Sequence, residues 1–295
     1  MQISQDSLFV IVEGKDLDAR FYDRICGSSA KVEAAGYQVW LAEQLKDDVT
    51  GVAAGGKKAV LAHFEFFKAS GKLTVTSSSG KRSMAFMVDR DNEDVSGGKK
   101  RSPHVIYTDM FDVEAEVFIR GSDQEALAGI LSLDSASVSQ LVTDLSGWVM
   151  DLADAWREWI TLCVIAKATG AGCDVGFGRE SWVNNPKYGA VEAVKLAAAA
   201  QKVATSTRRS ATEYSAISSR VRRRINSCYS KGHGYRLIKG KWLAPYLMHR
   251  VKSHFGSAPV SYKSVEDSLA RAYLAACDFR EMWADHYRDR LELLT

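Results

Sequence analysis

The sequence predicts an α/β protein with a parallel sheet in its N-terminal half and helices in its C-terminal half. Over residues 1–121, short apolar runs alternate with helical patterns, and this alternation is typical of a parallel sheet. Beyond Gly121, helical periodicity continues with few strand signals. We therefore expect a sheet domain over residues 1–121 and a helical domain over residues 122–295.

Each element of the N-terminal half has its own signal. Residues 8–12 are consecutive apolar residues, as in a strand buried on both faces. In residues 16–25, Leu17, Phe21 and Ile25 recur at intervals of four, which predicts a helix. The same reasoning predicts strands over residues 37–41, 84–88 and 105–107 and a helix over residues 59–69. Together these elements predict a Rossmann-like sheet.

The C-terminal half has three stretches with helical periodicity. They cover residues 126–168, 191–204 and 265–294, and the last is a long amphipathic pattern. Glycine-containing segments at residues 170–178 and 230–240 predict loops between them.

The composition excludes several classes of protein. With 46% hydrophobic and 25% charged residues in a chain of 295, a globular protein is expected and disorder is not. No apolar run approaches the roughly 20 residues that cross a bilayer, and no signal segment opens the chain. We expect a cytoplasmic protein without membrane contact. The five cysteines form no Cys-x-x-Cys pair, which argues against structural zinc and a disulfide framework.

Positive charge is concentrated in residues 205–252, which contain 12 Lys and Arg and a single acidic residue, Glu213. Such a concentration predicts a surface for a polyanion. Interleaved Tyr229, Tyr235 and Trp242 could stack on unpaired bases, a combination typical of RNA or single-stranded nucleic acid. A solvated helix face and a docking surface for an acidic protein remain alternatives. The candidate nucleic-acid-binding residues are Arg220, Arg222, Arg223, Arg224, Lys231, Arg236 and Lys239.

Acidic residues follow two of the predicted buried strands. Glu13, followed by Gly14, ends the first strand, and Asp89 and Asp91 come directly after the strand over residues 84–88. Open α/β sheets bind their ligands at the carboxyl ends of strands, so these side chains should share one edge. Carboxylates held together repel each other unless a cation neutralises them, and oxygen ligands suit Mg²⁺ or Mn²⁺.

A further acidic group follows the strand over residues 105–107. Asp112, Glu114 and Glu116 open a predicted helix, where negative charge is also favourable against the helix dipole. That structural role explains Asp112 and Glu116 as well as metal binding does. For Glu114, metal binding is the stronger interpretation.

These residues resemble the TOPRIM fold of topoisomerases, primases and OLD-type nucleases. The resemblance lies in VIVEGK at residues 10–15 and FMVDRD at residues 86–91. FDVEAE at residues 111–116 and GKW at residues 240–242 also resemble elements of a TOPRIM subgroup that is encoded beside an ATPase in anti-phage systems such as PARIS. One departure is the acid expected four positions after the glutamate, since Leu17 stands there between Asp16 and Asp18.

The resemblance implies a TOPRIM nuclease that cuts a nucleic-acid backbone. Glu13, Asp89, Asp91 and Glu114 would hold Mg²⁺ or Mn²⁺, and Lys241 would stabilise negative charge on the phosphate. The implied substrate is transfer RNA, with DNA as the alternative, and the implied role is a toxin effector of anti-phage defence. A partner ATPase would hold it inactive, and the active form is expected to be a homodimer. A catalytically inactive regulatory subunit that binds an ATPase or nucleic acid is the hypothesis from a different class.

Overall fold

The chain forms two compact units. The structure is a computed structural model that describes residues 7–14, 16–45, 55–78, 80–131, 133–178, 189–255 and 262–295. The sheet unit comprises Met1–Arg90, Lys100–Asp109 and Leu274–Thr295, and the helical unit comprises Asp91–Lys99 and Met110–Tyr273. This division differs from the boundary after residue 121, which stays a prediction about domains. It assigns the segment Asp91–Lys99 to the helical unit and the C-terminal residues to the sheet unit.

The first part of the chain carries every strand of the sheet. Its elements are β1 (Ser7–Val12), α1 (Leu17–Gly27), α2 (Ala30–Ala35), β2 (Tyr37–Leu41), α3 (Gly56–Ala69), β3 (Thr74–Ser77), β4 (Gly80–Val88), α4 (Glu93–Ser96) and β5 (Val105–Tyr107). The rest of the chain is mostly helical: α5 (Val113–Arg120), α6 (Asp123–Leu131), α7 (Ser135–Asp144), α8 (Trp148–Ala155), α9 (Arg157–Thr169), α10 (Ala193–Ser206), α11 (Ala211–Ser230), α12 (Leu243–Phe255), α13 (Tyr262–Ala275) and α14 (Asp285–Glu292). The predicted α/β class, with a parallel sheet followed by a mostly helical region, is confirmed.

The sheet is built around β1 and β4. β1 lies between β2 and β4 and is parallel to both, with Val10 opposite Val39 on one side and Ala85 on the other. β5 pairs in parallel with the end of β4, where Val88 faces Tyr107. Because both faces of β1 are covered, Val10 is completely buried, as its unbroken apolar run predicts.

The strand β3 was missing from the predicted elements. It pairs antiparallel with the first half of β4, with Val75 opposite Arg82, and all its residues are exposed. Its sequence TVTS has no apolar run and buries no side chain, so the burial pattern that revealed the other strands is absent.

The predicted amphipathic pattern over residues 265–294 is not one helix. It is broken between α13 and a single turn at Met282–Ala284, after which α14 begins. Side-chain groups satisfy the peptide carbonyls at the break, since the Arg288 guanidinium donates to the carbonyls of Phe279 (3.0 Å) and Glu281 (3.2 Å). Periodicity alone could not reveal these bonds.

Aromatic packing holds the C-terminal residues within the sheet unit. Phe21 of α1 contacts the rings of Phe279, Trp283 and Tyr287, with centroids 5.5, 6.1 and 5.6 Å away. Phe21 and Tyr287 are both completely buried. The last residues of the chain are therefore part of the core that supports the N-terminal sheet.

Helices α9, α10 and α11 form the part of the helical unit that bears most on function. α9 is buried from Trp159 to Ala166 on all its sides, and Gly170 ends it in the left-handed conformation with φ of 64°. Both α10 and α11 pack against α9. Ser210 and Glu213 form a capping box that fixes the start of α11. Within the described ranges, no helix combines the length and apolar content needed to cross a bilayer.

Candidate functional site

Glu13 and Asp89 lie together at the carboxyl ends of β1 and β4. Ile11 pairs with Phe86 in the parallel register, so the two strands end side by side. The Asp89 N–H donates to Glu13 Oε1 at 2.8 Å. The structure thus brings together these two sequence-predicted site residues at the sheet edge where α/β proteins bind ligands.

The backbone after Asp89 is also held in place. The Arg90 N–H donates to Thr108 Oγ1 at 2.8 Å, and the Arg90 guanidinium donates to the carbonyl of Asp109 and lies 3.5 Å from its carboxylate. Arg90 is therefore engaged within the sheet unit, and the loop after β5 fixes the start of the Asp-Arg-Asp sequence.

Lys57 is a cation at this edge that sequence analysis missed. Its Nζ donates to the carbonyl of Asp89 at 2.6 Å and lies 5.6 Å from the centre of the Tyr107 ring. Gly55 and Gly56 precede it with φ of 93° and 70°, a conformation that favours glycine and leads the chain into α3. Helix α3 begins three residues before its predicted start, so the prediction left Lys57 outside the helix. The sequence signal that could have placed Lys57 at the start of the helix is Gly-Gly-Lys.

Asp18 bonds to the loop after β1. Asp18 Oδ2 accepts a hydrogen bond from the Gly14 N–H at 2.8 Å. Burial raises the pKa of Asp18, and the bond from Gly14 acts in the opposite direction. A Cβ at Gly14 would lie 2.9 Å from Asp18 Oδ2, so a side chain there would require the Asp18 carboxylate to shift.

A second acidic group lies in the helical unit and includes Asp91, Asp112 and Glu114. The Asp91 N–H donates to the carbonyl of Phe111 at 2.7 Å, which brings the chain after β4 to the start of α5. Burial raises the pKa of Asp112 to about 7, and the charges of Glu114 and Asp91 also raise it. The Glu114 and Asp91 carboxylates are thus close enough to disfavour the ionised form of Asp112.

Asp112 and Glu116 have structural roles at α5. Asp112 Oδ1 caps the helix by accepting from the Ala115 N–H at 2.8 Å. Glu116 is fully buried, and its carboxylate accepts from the Met110 N–H (2.9 Å) and from Arg120 Nε (3.3 Å). Glu114 is half-buried, so on α5 it remains the acid best suited to a ligand.

Two lysines approach this second acidic group. Lys167 of α9, which sequence analysis missed, places Nζ 3.6 Å from Asp91 Oδ2. Lys241 is exposed and follows Gly240, whose N–H donates to both carboxylate oxygens of Asp112 at 3.1 Å. A Cβ on Gly240 would overlap the backbone of Ala115 and the side chain of Glu114. The Gly-Lys element therefore packs directly on the start of α5, and no local pattern could have predicted either approach.

The acidic residues fit a hard divalent cation in type and in charge. Carboxylate oxygens are its preferred ligands. The raised pKa of Asp112 reflects burial first and the charges of Glu114 and Asp91 second, and a cation would offset those charges. Among the described residues, however, no three His, Cys, Asp or Glu side chains are grouped closely enough to hold a metal ion. One or two carboxylates with water molecules are enough for Mg²⁺, so this finding does not decide whether an ion binds.

The four clustered arginines of α11 have different surroundings. Arg222 pairs with Glu158 at 3.1 Å, and Arg224 donates to the carbonyl of Val95 at 3.0 Å. Arg220 and Arg223 are exposed and have no hydrogen-bond or ion-pair partner in the part of the chain that the structure describes. Of the four arginines, only Arg220 and Arg223 are fully available to a phosphate. Lys231 is also exposed, whereas Arg236 and Lys239 are half-buried.

The expected stacking surface is wrong for Trp242, and Tyr229 is engaged in other contacts. Trp242 is only 3% exposed and stacks on Phe177 with centroids 5.5 Å apart. Tyr229 donates its hydroxyl to the carbonyl of Ala153 at 2.6 Å, and the Arg157 guanidinium covers its ring at 4.5 Å. These contacts engage both side chains within the helical unit, although Tyr229, like Tyr235, is only half-buried.

No family model, no curated protein and no solved structure matches this chain.

Proposed function

We propose that this protein is a divalent-metal-dependent nuclease of the TOPRIM type. The observation that carries the proposal is the pairing of Glu13 with the Asp89 backbone at the ends of two adjacent parallel strands. Glu13 and Asp89 are the ligands supported by this geometry. Asp91 and Glu114 keep the ligand role that the resemblance gives them.

The chain's own residues suggest how phosphate would be bound. A bound Mg²⁺ or Mn²⁺ would orient the scissile phosphate and lower the pKa of a water molecule. Lys57, in the sheet unit, and Lys167, in the helical unit, are cations beside acidic residues, where they can offset the charge of a phosphate. Lys241 keeps the role that the resemblance gives it, and it follows Gly240, which contacts Asp112. Arg220 and Arg223 would contact phosphates farther along the strand.

The identity of the nucleic acid is proposed from the resemblance. We propose transfer RNA as the substrate, a role as a toxin effector of anti-phage defence, and control by a partner ATPase. Because Trp242 and Tyr229 are not free to stack on bases, the helical unit adds little support for RNA over DNA.

Cleavage assays on both nucleic acids test the proposal. Purified protein with Mg²⁺ or Mn²⁺ should fragment transfer RNA, and Glu13→Gln should remove this activity because it removes a charged ligand. Glu33→Gln is the matched control, since Glu33 is an exposed acid of the same unit. If the protein nicks supercoiled DNA and leaves transfer RNA intact, DNA is the substrate. Equal cleavage by wild type and Glu13→Gln would refute the proposed site.

A catalytically inactive regulatory subunit is the second candidate. It is favoured by the absence, among described residues, of a ready-formed group of three metal ligands, and by the lysine already paired with Asp91. Titration with Mn²⁺ separates the two functions, because an inactive subunit would neither bind the ion nor cleave nucleic acid while still binding a partner.

A further inference from the structure

The second acid of the Asp-Arg-Asp sequence begins a short segment of the helical unit, Asp91–Lys99. The segment has positive φ near both ends, 48° at Asp91 and 90° and 121° at Gly97 and Gly98. A positive φ at a non-glycine residue such as Asp91 is sparsely populated and persists only where the surroundings enforce it. Between these points lies α4, a helix of only four residues. So short a helix does not hold itself together and depends on contacts from outside.

Asn92, the residue after Asp91, adds to this dependence. It is 2% exposed, and neither polar atom of its amide has a hydrogen-bond partner among the described residues. A buried, unpaired amide disfavours the folded arrangement. The position of α4 is therefore maintained by other interactions.

Arg224 of α11 supplies such an interaction. Its Nη1 donates to the carbonyls of Val95 (3.0 Å) and Asp94 (3.3 Å), near the C-terminal end of α4. The last carbonyls of a helix lack partners within it, and a cation there is favourable. The side chain of Val95 is buried, and α4 packs against α9 and α11.

Hydrogen bonds continue from these carbonyls back to Asp91. The N–H groups of Val95 and Ser96 donate to the carbonyl of Asn92 at 3.0 and 2.8 Å, and Ser96 Oγ donates to it at 2.9 Å. Asp91 directly precedes Asn92, and its N–H donates to the carbonyl of Phe111. A shift at the end of α4 would thus be passed to the Asp91 carboxylate.

We propose that Arg224 is a positioning residue that sets the orientation of Asp91 through α4, and not a contact for nucleic acid. This inference rests on the proposed function, in which Asp91 is a metal ligand. It separates Arg224 from Arg223, since both are exposed but only Arg224 bonds to α4. It also means that α11, which carries the exposed basic side chains, is linked by hydrogen bonds through α4 to Asp91 of the candidate site.

The test compares Arg224→Ala with Arg223→Ala, and uses Arg222→Ala as a control for loss of an arginine that has a partner on α9. Mn²⁺ titration of the protein alone should show an affinity lowered about tenfold or more in Arg224→Ala, as for loss of an outer-sphere partner. Its affinity for a transfer RNA measured with Ca²⁺ should stay within about threefold of wild type, since no phosphate contact is lost. Arg223→Ala should show the opposite pattern.

Hydrogen exchange provides a readout that does not depend on activity. Amides of residues 92–97 should exchange about tenfold faster in Arg224→Ala, because hydrogen bonds to a charged group are lost. Arg224→Lys, which retains the charge but loses the fork of donors, should fall between Arg224→Ala and wild type. Lost RNA affinity with unchanged Mn²⁺ binding and unchanged exchange would overturn the inference. If the wild type neither binds Mn²⁺ nor cleaves nucleic acid, the proposed function fails. In that case, unchanged hydrogen exchange of residues 92–97 in Arg224→Ala would separately refute the role of Arg224.

Discussion

Helices α9 and α11 pack against each other but are stabilised in opposite ways. α9 is surrounded by apolar contacts, with Trp159 and Ile160 completely buried. α11 is longer, yet Val221 and Ile225 are the residues it buries, and most of its other residues are polar. Burial of apolar area dominates stability, whereas exposed charge contributes little to it. We therefore expect substitutions in α9 to destabilise the protein, whereas outward substitutions in α11 should change what it binds.

The largest effect is expected in α9. Ile160→Ala should lower the free energy of unfolding by about 3 kcal/mol, because it removes buried methylene groups and leaves a cavity. Urea denaturation followed by circular dichroism measures this. A loss below about 1 kcal/mol would contradict this expectation, because it would mean that neighbouring side chains fill the space left by Ile160.

The same contrast can be sharpened within one helix, α5. Glu116→Gln should cost about 2 kcal/mol of stability, because the buried carboxylate accepts two hydrogen bonds. Glu114→Gln should change stability by less than about 0.5 kcal/mol and reduce Mg²⁺-dependent cleavage. Thermal unfolding and cleavage assays on the two variants separate the roles. Equal stability losses would show that both acids are structural.

On α11, we expect an effect on binding without an effect on folding. The double variant Arg220→Ala/Arg223→Ala should weaken binding of nucleic acid and lower the slope of log affinity against log salt by about one for each lost phosphate contact. Its melting temperature should equal that of wild type. An unchanged salt slope would indicate that α11 faces solvent or an acidic protein.

The smallest effect concerns pH and the sheet unit. Burial lowers the pKa of His286, whose ring bonds to the carbonyl of Tyr107; the cations Arg290 and Arg90 lower it further, while Asp109 opposes them. Since the folded protein binds this proton less readily than the unfolded chain, stability should fall as pH drops below about 6.5. Denaturation at pH 7.5 and pH 5.5 measures the loss, and His286→Gln should reduce it. An equal loss in the variant would assign it to other groups.

The features that sequence predicts well are those set by neighbouring residues. The apolar run of β1 and the acids after β1 and β4 were predictable because strand burial and strand ends are local patterns. Features created by distant residues were not. The bond from Gly240 to Asp112 joins residues 128 positions apart, and Lys167 reaches Asp91 from another helix. The sequence indicated helix α11 only as one interpretation of the basic segment. Its apolar side is narrow, and the many serine and arginine residues around it weaken the helical pattern.

The C-terminal residues of the sheet unit have a consequence for folding during synthesis. Ser29 Oγ donates to Glu292 at 2.6 Å across 263 positions, and Lys81 Nζ donates to the carbonyl of Thr295 at 2.9 Å. Contacts of such high sequence separation close large loops and slow folding. A ribosome that has made only the first hundred residues has therefore not yet supplied the aromatic partners of α1. The sheet unit can therefore mature only after residues 274–295 have been translated, long after its strands have been made.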